Sequence, residues 1–151
     1  MALSPLHRYW LPVLLWGALI FNGSTDALSS RRTSRFLGPL LRFLKPDISE
    51  ESFHRIQTVI RKGGHLSEYA VLAILIWRAV QRPGEKPPER WRWRLAFAVM
   101  GACALYAAGD EYHQSFYPSR YASFGDVAID TAGAAAGLVL WRISGLWKKT
   151  W

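Results

Sequence analysis

The chain has 151 residues, half of them hydrophobic, with 19 Lys and Arg against 11 Asp and Glu for a formal net charge of +8. Its single cysteine, Cys103, excludes an internal disulfide and a dithiol redox pair and is read as a small packing residue. The positive charge does not imply nucleic acid, because it gathers beside hydrophobic runs in the pattern that positions membrane segments.

Mean hydropathy is near zero, yet the apolar residues are clustered, and the clustering predicts a single-domain, all-α membrane protein. The first run, residues 10–21, is short against the roughly 20 residues that span a bilayer, so residues 3–9 or 22–25 must extend it. His7 and Arg8 before it and Thr25-Asp26-Ala27 after it resemble a secretory signal. Pro12 and the bulky aromatics fit a retained helix equally well, and a retained helix is expected. In the 22–63 connection, Phe36, Leu37, Leu40, Leu41, Phe43 and Leu44 lie among Arg35, Arg42 and Lys45, which suits an amphipathic helix in the interface. Pro46-Asp47 then begins a new element, with Asp47 and Glu50 at capping-box spacing and Phe53, Ile56 and Ile60 marking one face. Gly63-Gly64 predicts a break before the second run, residues 66–80.

Pro83, Pro87 and Pro88 make the next connection a polar, non-helical loop. The third run is 95–108, a short loop covers 110–125, and the fourth run is 127–143. The expected architecture is a bundle of about four transmembrane helices, with the amphipathic segment between the first and second spans. Arg78, Arg82, Lys86, Arg90, Arg92 and Arg94 flank the second and third runs, and Arg142, Lys148 and Lys149 flank the fourth. The short 110–125 loop has Arg120 alone, so both termini are expected in the cytoplasm. The long 22–63 connection is also basic, but long loops weigh less in that rule. Trp91, Trp93, Trp141, Trp147 and Trp151 would form the cytoplasmic aromatic belt, and Tyr112, Tyr117 and Tyr121 the outer one.

Alternation of spans brings residues 62–69, 110–120 and 126–130 to one membrane level. Charge at a membrane segment is costly and points to function or to a specific partner. His65 stands three residues before Glu68 and four before Tyr69, while Asp126 and Asp130 are one turn apart. Gly133 and Gly137 form a small-xxx-small pair that lets another helix approach closely. Purely structural pairing would join Arg120 to Asp110 or Asp126, and His65 to Glu68 or Glu111. Against it, Glu68, Asp110, Glu111, Asp126 and Asp130 outnumber Lys62, Arg120 and His65. Excess carboxylates must be protonated, hydrated or met by a cation. His65, Glu68, Asp110, Glu111 and Asp126 are the candidates for acid–base chemistry. His65, Asp110, Glu111, His113 and Asp126 are suitable metal-ligand types, but HExxH and paired Cys/His spacings are missing, so neither metal nor cofactor is expected. Nor is there a nucleophile elbow, P-loop or dinucleotide fingerprint.

Lys62, His65, Glu68 and Tyr69 as K-x-x-H-x-x-E-Y, then Asp110-Glu111 with Gln114, Pro118, Arg120, Asp126, Gly133 and Gly137, resemble the VanZ family of bacterial integral membrane proteins. The resemblance covers roughly residues 8 to 143, and the ordered combination is more specific than any piece. Asp130 stands where the family usually has Asn, and Tyr121-Ala122 vary the small-residue run after the arginine. The family is named for a member conferring low-level teicoplanin resistance. The resemblance implies a multi-pass protein of the bacterial cytoplasmic membrane with an outward-facing polar site. Lys62, His65, Glu68, Tyr69, Asp110, Glu111, Gln114, Arg120, Asp126 and Asp130 would bind or modify a membrane lipid or lipid-linked cell-wall component, lowering glycopeptide susceptibility. Arg120 and Lys62 would meet an anionic headgroup. The alternatives are a membrane enzyme using the His/Asp/Glu cluster, and a non-catalytic scaffold relying on residues 33–62 and the glycine face.

Overall fold

The computed structural model describes residues 4–25, 30–81, 91–117 and 123–147. These residues form five helices and no strand: α1 (Pro5–Gly23), α2 (Ser30–Leu44), α3 (Glu50–Gln81), α4 (Trp93–Gln114) and α5 (Phe124–Trp147). Pro5 opens α1 in the first turn, where a missing N–H leaves no bond unmade. α2 lies beside the start of α3, with Gly38 facing the Phe53 ring. Arg42 donates to Glu50 at 2.9 Å across the turn between them, an exposed pair that fixes geometry more than stability.

Two local expectations are corrected at α3. Its N-cap is Ser49, not Asp47: the Ser49 hydroxyl oxygen accepts the Ser52 N–H at 3.2 Å, satisfying a first-turn donor. Glu50 and Glu51 follow in that turn, where negative charge suits the helix dipole. The Gly63-Gly64 pair does not break the helix, which runs unbroken for 32 residues. A glycine permits a bend without imposing one. Each costs about 1 kcal/mol against alanine, and the packing of α3 on its neighbours at either side of the pair outweighs that.

α3 is the centre of the bundle. Tyr69, Leu72, Ala73 and Trp77 from α3 join Ile20, Ala96, Val99, Cys103, Ala107, Ala134 and Leu138 in one buried cluster. α5 packs closest against α3. A Cβ at Gly133 would run into the backbone carbonyl of Leu66, and one at Gly137 into that of Ala70. This is the close approach that a small-xxx-small surface allows. α1 is tied to α3 by the Trp16 indole, which donates to the Glu68 carbonyl at 2.9 Å. It is tied to α4 by the Tyr106 hydroxyl, which donates to the Gly17 carbonyl at 2.7 Å. Trp77 stacks on Trp91, ring centroids 4.2 Å apart, and closes the far end. Trp91 is therefore a packing residue.

Among the described residues, α5 is the one helix long and apolar enough to cross a membrane on length and composition alone. The four crossings expected are thus not reproduced by that standard. In α3 and α4 the apolar run gives way to Arg61, His65, Asp110 and Glu111 before it reaches spanning length.

Candidate functional site

The middle of α3 meets the end of α4, the start of α5 and the exit of α1. On α3, Arg61, His65 and Tyr69 recur every four residues and so share a face. The last turns of α4 carry Asp110, Glu111 and Gln114, and the first turns of α5 carry Asp126 and Asp130. Ser24, just past α1, completes the group. Asp110, Glu111, Gln114, Asp126, Asp130, Tyr69 and Ser24 are all buried, with Asp130 and Tyr69 fully so. The arrangement is enclosed.

Each carboxylate has its own partner. Arg61 donates to Asp126 at 2.9 Å, linking α3 to α5. His65 Nδ1 lies 3.2 Å from Asp130 Oδ1, a second α3–α5 link one turn deeper. Glu111 Oε2 accepts the Ser123 backbone N–H at 2.8 Å and so holds the residue leading into α5. Asp110 Oδ2 accepts the Gln114 amide at 3.2 Å and lies 2.5 Å from the Ser24 hydroxyl. That hydroxyl is also 3.0 Å from the Ile20 carbonyl. One proton serves one acceptor, and a carboxylate is the stronger of the two.

For Asp110, Glu111 and Asp130 the partner meets one oxygen and leaves the other. Asp110 Oδ1, Glu111 Oε1, Asp130 Oδ2 and Gln114 Oε1 are buried acceptors without a hydrogen-bond partner, and the Tyr69 hydroxyl is also unpartnered. They belong to one electrostatic cluster: Tyr69 is within range of Asp110 and Asp130, and Glu111 within range of Asp126, Asp130 and His65. Buried polar groups are nearly always satisfied, so orphans gathered in one place are a functional signal. Among the described residues, no group of three or more His, Cys, Asp or Glu is placed to hold a metal ion.

The structure therefore brings together His65, Tyr69, Asp110, Glu111, Gln114, Asp126 and Asp130. Lys62 is exposed on α3 and Glu68 is half-buried, its charge felt by His65. Pro118 and Arg120 lie outside the described residues. His113 stands aside, stacked on Phe21 with ring centroids 3.9 Å apart. Sequence reasoning missed Arg61, although its four-residue spacing from His65 was a usable signal. It also missed Ser24, which no periodicity marks.

The VanZ/LLP1 family model matches residues 9–146. Searches among curated proteins and among solved structures each found no match.

Proposed function

Because the chain belongs to the VanZ/LLP1 family, we propose that it is a multi-pass protein of the bacterial cytoplasmic membrane that binds an envelope lipid or a lipid-linked cell-wall component. The observation that carries this reading is the set of buried, unpartnered acceptors on Asp110, Glu111, Asp130 and Gln114. A buried acceptor without a donor costs about 1–3 kcal/mol. A headgroup that brings hydroxyl or ammonium donors relieves several at once. Arg61 stands beside the cluster, and Arg120 is a residue type that grips phosphate. Membrane residence is supported by the outward faces of the bundle. Leu11, Leu14, Leu15 and Leu19 on α1, Phe97 and Leu105 on α4, and Val139 and Leu140 on α5 are exposed apolar side chains that suit hydrocarbon. Both termini are cytoplasmic in this reading, and α2 lies along the interface. Engaging a cell-wall precursor at this site lowers susceptibility to a teicoplanin-type glycopeptide.

The test is mass spectrometry of lipid that co-purifies with the full chain. The wild type should retain one lipid class above its share of the membrane, and a folded Asp110→Asn, Glu111→Gln variant should lose it. Bulk membrane composition in both proteins would end the proposal. The His65–Asp130 pair favours a second reading, acid–base catalysis on the same headgroup. In that case wild-type protein converts the retained lipid and a folded His65→Gln variant does not.

A further inference from the structure

The unmet groups of the buried cluster sort by what each can give or accept. Asp110 Oδ1, Glu111 Oε1, Asp130 Oδ2 and Gln114 Oε1 have no hydrogen-bond partner. Ionised carboxylate oxygens and an amide carbonyl accept only. The Gln114 amide cannot be turned to supply a donor. Its nitrogen donates to Asp110 Oδ2 at 3.2 Å, and the reverse orientation would set a carbonyl against a carboxylate. Tyr69, 0% exposed, adds an unpartnered hydroxyl one turn beyond His65. These groups are neighbours: Tyr69 feels the charges of Asp110 and Asp130, and Asp130 those of Asp110 and Asp126. Charge is unmatched too. Asp126 faces Arg61 and Asp130 faces His65. Among the described residues, the partners of Asp110 and Glu111 are neutral: the Ser24 hydroxyl, the Gln114 amide and the Ser123 backbone N–H. The cluster comes nearest the surface at Arg61 and His65, whose side chains are 33% and 11% exposed.

We infer that the headgroup taken by this site carries a primary ammonium, whose N–H groups are shared among the orphaned oxygens of Asp110, Glu111, Asp130 and Gln114. The inference rests on the proposed reading of the cluster as a lipid-headgroup site. An ammonium brings three donors, no acceptor and one positive charge, the complement of what is unmet. A hydroxyl headgroup brings no charge and leaves Asp110 and Glu111 uncompensated. A guanidinium is a planar fork suited to both oxygens of one carboxylate. Here Asp110, Glu111 and Asp130 each have one oxygen engaged already, so single oxygens from separate side chains are on offer. A quaternary ammonium keeps the charge but has no N–H, and every orphan would stay unmet. A bare metal ion is disfavoured, because no three His, Cys, Asp or Glu side chains among the described residues are placed to hold one. An ammonium needs fewer carboxylates, since Gln114 Oε1 and the Tyr69 hydroxyl oxygen also accept.

The experiment is native mass spectrometry of the delipidated full chain in neutral detergent. It is titrated with phosphatidylethanolamine and its N-methyl, N,N-dimethyl and N,N,N-trimethyl derivatives, all of matched acyl chains. The headgroup's positive charge is constant along this series while its N–H donors fall from three to none. Affinity should drop with each methyl, by about ten-fold or more overall, the scale of losing charge-assisted hydrogen bonds. Phosphatidylglycerol, which offers hydroxyls alone, should bind more weakly than phosphatidylethanolamine. Asp110→Asn should flatten the series, and Glu111→Gln should do so if Asp110→Asn fails to fold. Free ethanolamine, the same amine without acyl chains, should bind about ten-fold or more less tightly than the phospholipid. Lipid bound without discrimination along the series, phosphatidylglycerol bound as tightly, or discrimination that persists in the folded variants would overturn the ammonium assignment and leave the lipid reading standing. No lipid bound in any arm, or ethanolamine bound as tightly as the phospholipid, would overturn the lipid reading and the inference with it.

Discussion

The contact of Gly133 with α3 makes the strongest demand on the chain and can be tested by adding one methyl group. In Gly133→Ala the new Cβ would overlap the Leu66 carbonyl oxygen, its carbon and its Cα, all backbone atoms. A side chain could rotate aside, but backbone cannot, so the two helices must separate. Overpacking of this kind costs about 1–3 kcal/mol and belongs at the upper end when the obstacle is rigid. Alanine recovers about 1 kcal/mol of helix propensity, which leaves a net loss of about 2 kcal/mol. The separation has a second consequence. His65 precedes Leu66, and Asp130 is one turn before Gly133, so the same movement lengthens a 3.2 Å contact that has little room to spare. Gly101→Ala is the control, because a Cβ there meets nothing within 4 Å. It should be neutral or stabilise by a few tenths to about 1 kcal/mol. Thermal unfolding in detergent, followed by loss of the monodisperse peak, reads both. If Gly133→Ala is as stable as wild type, or if both substitutions shift stability in the same direction by similar amounts, the backbone-contact argument is wrong.

Arg61→Ala should destabilise the fold by about 1–3 kcal/mol, a discounted version of the cost of stranding a buried charge because Arg61 is about a third exposed. Adding Asp126→Asn should recover most of that loss in the same unfolding assay, and no recovery would mean that Arg61 acts through other contacts. Ser49→Ala should cost about 1 kcal/mol of helix-end stability, visible as faster amide exchange in the first turn of α3 with the rest of the helix unchanged. Ser24→Ala should weaken the Asp110 anchor by about 1 kcal/mol without altering membrane insertion, and a larger effect than Arg61→Ala would rank the α1 link above the α3–α5 link. Reporter fusions after residue 86 and at the C-terminus should read cytoplasm and one near residue 117 the outside; the reverse pattern would invert the proposed orientation.

Much of the site was legible because helical spacing is local. Asp126 and Asp130, Asp110 and Gln114, and His65 and Tyr69 are four-residue pairs whose shared faces follow from 3.6 residues per turn. Gly133 and Gly137 announced a close helix contact for the same reason. Sequence by itself also determined the helical class, since clustered apolar runs separated by proline and charge leave few other folds. Sequence did not determine which helix answers which. That Gly133 meets Leu66 and Gly137 meets Ala70 sets the register of α5 on α3, and this register places Asp126 opposite Arg61 rather than Lys62. One residue along a helix is a rotation of about 100°, enough to turn Lys62 outward while Arg61 faces the carboxylates. The uninterrupted α3 was likewise decided by tertiary packing, because Gly63-Gly64 has no bend of its own to impose once both flanking segments are docked. The orphaned oxygens of Asp110, Glu111 and Asp130 belong to the tertiary structure alone: a carboxylate's second oxygen is unmet only when neighbouring helices exclude water from it.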